Sequence, residues 1–404
     1  MDKARRARQT GAAMERGFLR SADWLDAARV GGYLRLAALV QAAALVWLLA
    51  TSSGGIDRNG FLIGSDFLSF WTAGTMLVAG ETPYDMAAHL AAQRAFFAQD
   101  GLLGFPYPPP FLLVCYPLGT LPYFPALAVW LGVTGLAYLA AARLWQRAYL
   151  PQRPVWLLVA AFPPVLVTIT HGQSAFLAAA LVGAGALLVP RRPWLAGCLI
   201  GLAIFKPHYG LLIPVVLIAT RQWRVIAGAA ASALGLIALT SLAFGAGVWG
   251  EWLAIGSQAS GALADGIMVY DKMVSVAAAA MLLGVPPGAA LLGQAAVLLA
   301  VAGTLALAGS RHGYTPALAA AMLAGVPLAT PMLLDYDLVL IAFPLLWLAA
   351  RQPRDWERIT MLLAFAAPAF ARPLSVNLGV PVMVPVLAVL FVLLARRALA
   401  GEAD

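Results

Sequence analysis

Residues 194–220 read WLAGCLIGLAIFKPHYGLLIPVVLIAT. Two apolar runs of about a dozen residues flank Lys206, Pro207 and His208. Proline removes a backbone donor and breaks helices. A lysine at the centre of a membrane span costs about 2.5–3.5 kcal/mol on insertion scales. The stretch therefore reads as two short spans, 194–206 and 208–220, with the turn Lys206–His208 between them. Short or proline-interrupted helices in a bilayer line cavities, because lipid would leave their broken backbone unpaired.

Similar apolar stretches recur from residue 34 to residue 395. A crossing needs roughly 20 apolar residues, so the fold class expected is all-α, a polytopic membrane protein with about 12 transmembrane helices. They are placed near 34–52, 122–142, 155–170, 173–190, 194–206, 208–220, 225–245, 286–309, 315–330, 334–350, 358–371 and 378–395. The 404 residues are 62% hydrophobic and 11% charged, against about 25% charged in soluble domains. A β-barrel would show alternation rather than continuous runs. Cys115 and Cys198 sit inside apolar stretches without metal-ligand spacing. The formal charge of +8 does not call for nucleic acid, because the basic residues flank spans.

With the N-terminus in the cytoplasm, 21 of the 26 Lys and Arg fall inside. Outside remain Arg58, Arg94, Lys206, Lys272 and Arg372, as the positive-inside rule expects. Residues 1–33 read as a cytoplasmic N-terminal segment without a cleavable signal, lying in part at the membrane surface. Residues 34–398 read as a single transmembrane domain and 399–404 as a cytoplasmic tail, so both termini are expected inside. The outer side receives loop 53–120, loop 246–285, the turns at His171–Gln173 and Lys206–His208, and the segment from Thr330 to Asp337. It holds three of the four histidines and ten of the eighteen acids. That asymmetry points to work on the extracytoplasmic face of the membrane.

Within the first loop, Phe67, Phe70, Trp71 and Leu77 have helical spacing over 66–80. Residues 85–99 form a second amphipathic stretch with Asp85 as N-cap. Tyr107-Pro-Pro-Pro110 turns the chain back toward the membrane, and the apolar residues 111–121 read as re-entrant or interfacial. Whether 107–121 and 273–285 cross or re-enter stays open.

Asp66 is the leading chemical candidate. Its plain reading is a helix N-cap. Its functional reading is a general base, a carboxylate made more basic by partial desolvation beside Phe67 and Phe70. Lys206 is either a snorkelling interface lysine or a cation for an anionic group such as phosphate. His208 can add a hydrogen bond. His171 and Gln173 either cap a helix or face a site. Arg372 is a second candidate for phosphate. Asp335 and Asp337, at i and i+2, point to different faces. Trp71, Tyr84 and Tyr107 are candidates for seating sugar faces, although aromatic residues are common at any membrane interface. No P-loop, GxSxG, HExxH or dinucleotide fingerprint is present.

The order GSDFLSFWTAG (64–74), AGETPYD (79–85), FPYPPPFLLVCYPLGTLP (105–122), HGQSAFLAAALV (171–182) and AGCLIGLAIFKPHYGLLIPVVLIATRQWR (196–224) resembles bacterial glycosyltransferase family 87. These are polyprenyl-phosphate-mannose-dependent α-mannosyltransferases of the membrane GT-C class. The resemblance covers roughly residues 60–350. It implies Asp66 as catalytic base, a polyprenyl-phosphate hexose as donor with no further cofactor and no metal, and a lipid or glycan acceptor in the bilayer. The segment around Asp335 departs from the histidine-bearing version expected there. A transporter or flippase using Lys206 and Asp337, or a non-catalytic assembly subunit, are the alternatives.

Overall fold

The computed structural model describes residues 17–97, 104–264 and 270–402. Lys3, Arg5, Arg6, Arg8 and Arg16 of the N-terminal segment lie outside the described residues. So do parts of both large loops and the last two residues of the tail. Among the described residues the chain is helical, with three isolated bridges and no strand. The elements are α1 (Ala27–Thr51), α2 (Phe67–Val78), α3 (Met86–Phe96), α4 (Leu112–Gly119), α5 (Tyr123–Tyr149), α6 (Val155–Ala161) and α7 (Pro163–His171). There follow α8 (Ala175–Leu188), α9 (Pro193–Leu202), α10 (Ile213–Ala219), α11 (Trp223–Phe244), α12 (Val248–Ala264) and α13 (Val276–Leu282). The last are α14 (Pro287–His312), α15 (Pro316–Ala329), α16 (Ala342–Ala349), α17 (Glu357–Ala366), α18 (Pro368–Leu378) and α19 (Met383–Leu399).

Four of these, α1, α5, α11 and α14, are long and apolar enough to cross a bilayer. The pair α17 and α18, bent by 66° at Ala367, makes a fifth if taken as one span. The other apolar segments are helical but shorter. The stretch 155–171 breaks at Phe162, and 194–220 passes through 3-10 turns at Ala203–Phe205 and Pro207–Gly210. Pro163 and Pro207 lack the N–H that would continue each helix. α15 is buried from Ala317 to Ala329, as a helix apolar on all sides should be. It forms the centre with α8, α16 and the 3-10 turn Asp335–Ile341. α1 is the reverse, with only Gly31 and Leu34 buried. Its exposed Leu36, Leu39, Val46 and Trp47 suit contact with lipid.

The loop after α1 is folded against this core. Asp85 caps α3, its carboxylate accepting the Ala88 N–H at 3.0 Å. α4 has eight residues, about 12 Å at 1.5 Å per residue, well short of a hydrocarbon core of about 30 Å. It lies directly on α2. A Cβ on Gly74 would meet the Cys115 carbonyl oxygen at 2.1 Å, and one on Gly119 would meet the Gly74 backbone at the same distance. Only glycine at both positions lets the two backbones touch.

Candidate active site

α7 ends at Gly172, whose φ of +67° is left-handed and favours glycine. A Cβ there would come 2.6 Å from the Phe67 Cβ, so the turn presses against the start of α2. Two backbone bonds join them. The Gly64 N–H donates to Thr170 O at 2.9 Å, and the Asp66 N–H donates to His171 O at 3.1 Å. From α5, Tyr123 OH donates to Gly64 O at 2.7 Å and Trp130 Nε1 donates to Gly172 O at 2.9 Å. Two segments about a hundred residues apart are thereby fixed in register.

Asp66 occupies the N-cap position of α2, yet its side chain makes no capping bond. Instead Gln173 Nε2 donates to Asp66 Oδ2 at 2.8 Å. The amide cannot turn over, because Gln173 Oε1 already accepts from Tyr107 OH at 3.2 Å and from the Ser174 N–H at 3.1 Å. Ser174 Oγ lies 2.8 Å from Tyr107 OH. Since a phenol has one proton, the chain runs Ser174 to Tyr107 to Gln173 to Asp66. Burial pushes the Tyr107 phenol well above its ordinary range, with Ser174 opposing and Asp337 and Asp66 adding to the rise. It therefore remains a donor. Asp66 is half-buried. Its Oδ1 has only Ser65 Oγ, at 3.4 Å, and among the described residues no cation pairs with it.

On the same turn, His171 Nδ1 sits 2.9 Å from Val167 O. A carbonyl only accepts, so Nδ1 carries the proton and Nε2 is left to accept. Arg372 Nη1 lies 3.1 Å from that Nε2. The rest of the guanidinium forks onto Asp335, with Nε to Oδ2 at 2.7 Å and Nη2 to Oδ1 at 2.9 Å. Arg372 and Asp335 form one wall of a small cleft of about 10 Å³, room for roughly one water. Lys272 stands with them, and Val274, Met383 and Val384 supply an apolar wall. Lys272 is held there because the Val274 N–H donates to Leu333 O at 2.8 Å, just before Asp335.

Lys206 and Asp337 pair with each other, 3% and 1% exposed. Tyr209 OH donates to Asp337 Oδ1 at 3.0 Å, and the ammonium lies over the Tyr209 and Tyr336 rings. The pair closes off from solvent beneath the site. Asp335 and Asp337 do face different ways, one to Arg372 and the cleft, the other to Lys206. His208 touches Tyr209, and its carbonyl accepts from Thr330. Its buried Nε2 has no hydrogen-bond partner among the described residues.

The remaining candidates stand apart. Trp71 packs on Phe96 and Tyr123 and gives its indole N–H to Leu121 O at 2.9 Å. Tyr84 OH donates to Tyr107 O at 2.8 Å, and Tyr84 borders a second, more open cleft with Thr82, Asp85 and Glu251. His89, in α3, is fully buried with its Nε2 3.2 Å from Ser69 Oγ. Burial lowers its pKa to about 4. Four residues of the cluster carried no signal strong enough to single them out from sequence. They are Ser174, Tyr209, Tyr336 and Lys272.

Among models of protein families, that of glycosyltransferase family 87 matches residues 105–334, more than half of the chain. The match takes in Tyr107, His171, Gln173, Ser174 and Lys206; it begins after Asp66 and ends just before Asp335. No curated protein and no solved structure matches the chain.

Proposed function

This chain belongs to glycosyltransferase family 87, and on that premise we propose that it moves a hexose from a polyprenyl-phosphate donor to a hydroxyl of a lipid or glycan acceptor. Membership makes it a membrane glycosyltransferase rather than a transporter or an assembly scaffold. Mannose is the hexose proposed, the extracytoplasmic face of a bacterial plasma membrane the place of reaction, and both termini are taken as cytoplasmic.

Asp66 is the general base. The acceptor hydroxyl passes its proton to the carboxylate as its oxygen bonds the anomeric carbon. The bond from that carbon to the donor phosphate breaks, and its electron pair leaves with the phosphate. One displacement inverts the anomeric configuration. A phosphate leaving group needs no general acid, so one carboxylate suffices, whereas a glycosidase needs two. Arg372, with Lys272, is proposed to hold the donor phosphate. Its guanidinium fork matches phosphate oxygens, and since the fork now holds Asp335, the donor phosphate would take the place of that carboxylate. The buried Lys206 acts on that phosphate, in this reading, only through the field it shares with Asp337.

One observation carries the proposal. Asp66 is a half-buried carboxylate held by neutral donors, with one oxygen open, one turn from a guanidinium on a cleft wall. The test offers radiolabelled polyprenyl-phosphate mannose to extracted membrane lipids and glycans, with the glucose donor in parallel. Transfer by the wild type, and a loss of about 10²–10⁴-fold in Asp66→Asn, is expected. Full activity in a folded Asp66→Asn protein would remove Asp66 as base. Transfer only from the glucose donor would replace mannose.

A further inference from the structure

Among the described residues, several carboxylates that reach beyond their own helix end or loop meet a cation. Asp335 meets Arg372, Asp337 meets Lys206, Glu357 meets Arg397, and Glu402 meets Arg354 and Arg397. Asp66 meets an amide. The distinction matters for a base, because a neighbouring cation favours the charged carboxylate and lowers its basicity, while a neutral donor can orient it at less cost. The amide is itself held. Gln173 is 4% exposed, its oxygen takes two donors, and its backbone follows the left-handed turn at Gly172.

Resting on the reading of Asp66 as base, we infer that Gln173 is a positioning residue. It grips Oδ2 so that Oδ1 alone meets the acceptor hydroxyl, and Tyr107 with Ser174 fixes which end of the amide faces the carboxylate. The residue is matched to that task. A glutamate of the same shape would face Asp66 with a like charge, so the two carboxylates would share a proton. A methionine of similar length would leave Oδ2 without its donor.

The other titratable groups near Asp66 are Tyr107, Tyr123 and Tyr336, each of which feels its charge. His171 and Arg372 lie across the Gly172 turn, and Asp335 and Asp337 lie on the segment behind. Histidine is the side-chain type whose charge ordinarily changes between pH 5 and 8, so His171→Gln is the control for the pH profile.

The experiment measures kcat and donor KM against pH with polyprenyl-phosphate mannose and extracted membrane lipids. It uses wild type, Gln173→Glu, Gln173→Met, His171→Gln and Asp66→Asn, each checked for thermal unfolding. In Gln173→Glu the acid limb of kcat should move up by about one pH unit or more, as for a proton-sharing dyad. In Gln173→Met the limb should move in the same direction, because a carboxylate that loses a donor is harder to ionise. There kcat should fall about tenfold or more, with donor KM within about twofold. His171→Gln should leave the limb in place. A limb that stays at the wild-type pH in both folded Gln173 variants, or a raised KM at unchanged kcat, overturns the inference. If that happens while Asp66→Asn is inactive, the base assignment stands and only the role of Gln173 falls. An active Asp66→Asn overturns both.

Discussion

The two ends of α19 carry opposite kinds of electrostatics. Met383, near its start, borders the cleft with Arg372. Arg397, fourteen residues on and so about 21 Å along the axis, is tied to Glu357 through Nε and Nη2 and to Glu402 through Nη1. Arg354 joins Glu402, Arg20 joins Asp355, and Arg358 joins Asp23. At that end charges of opposite sign close on each other across the start of α17, the end of α19 and the N-terminal segment. At the other end Asp66 is held by an amide with one oxygen left over, while Arg372 pairs with Asp335 and His171 at the edge of a small cleft. A closed network spends its polarity on architecture. An open one keeps hydrogen-bonding capacity for something that arrives.

Breaking the closed end should cost the fold. Glu357 and Arg397 are 1% and 3% exposed, and removing one partner of a buried pair costs about 3–5 kcal/mol. Glu357→Gln should therefore lower the midpoint of thermal unfolding by several degrees, while turnover per folded molecule stays near wild type. Lys206→Met tests the closed pair nearest the site. The same loss of about 3–5 kcal/mol is expected, largely recovered in Lys206→Met with Asp337→Leu. Recovered stability with a donor KM still raised about tenfold would instead move Lys206 into the binding machinery.

Smaller effects sharpen the open end. Arg372→Lys keeps the charge but loses the planar fork. Donor KM should rise about tenfold, which is about 1.4 kcal/mol, with kcat changed less. His89 offers a contrast in pH. Its pKa falls from 6.5 to about 4 on burial, so between those values the unfolded chain binds a proton that the folded chain does not. Stability then falls as pH drops from 6.5 toward 4. In His89→Gln that slope should flatten, by about 3 kcal/mol at most over the window, as read by denaturant melts at pH 7, 5.5 and 4.5.

The helical class was legible because continuous apolar runs with scarce charge admit little else. The extents of individual helices were not. The break at Lys206–His208 was legible from its lysine and proline, but its spread over the 3-10 turns Ala203–Phe205 and Pro207–Gly210 was not, and Phe162–Pro163 divides a segment read as one span. Within the site, Asp66, His171, Gln173 and Arg372 could be gathered from sequence because all were assigned to one side of a membrane. Which candidate pairs with which could not. Lys206 and Asp337 are 131 residues apart, and nothing in either neighbourhood says that each answers the other. Lys272 reaches the cleft only because its loop pairs with Leu333 and Leu334. Trp71 has the composition of a sugar platform, but its indole N–H is already given to Leu121.

The most direct measurement pairs activity with stability in two single substitutions, one at each end. Sugar transfer from polyprenyl-phosphate mannose and the thermal midpoint are read in Asp66→Asn and Glu357→Gln. If the open end is the chemistry and the closed end the scaffold, Asp66→Asn loses about 10²–10⁴-fold in turnover at an unchanged midpoint, and Glu357→Gln does the reverse. An Asp66→Asn protein that unfolds early but turns over normally while folded would contradict the assignment of the two ends.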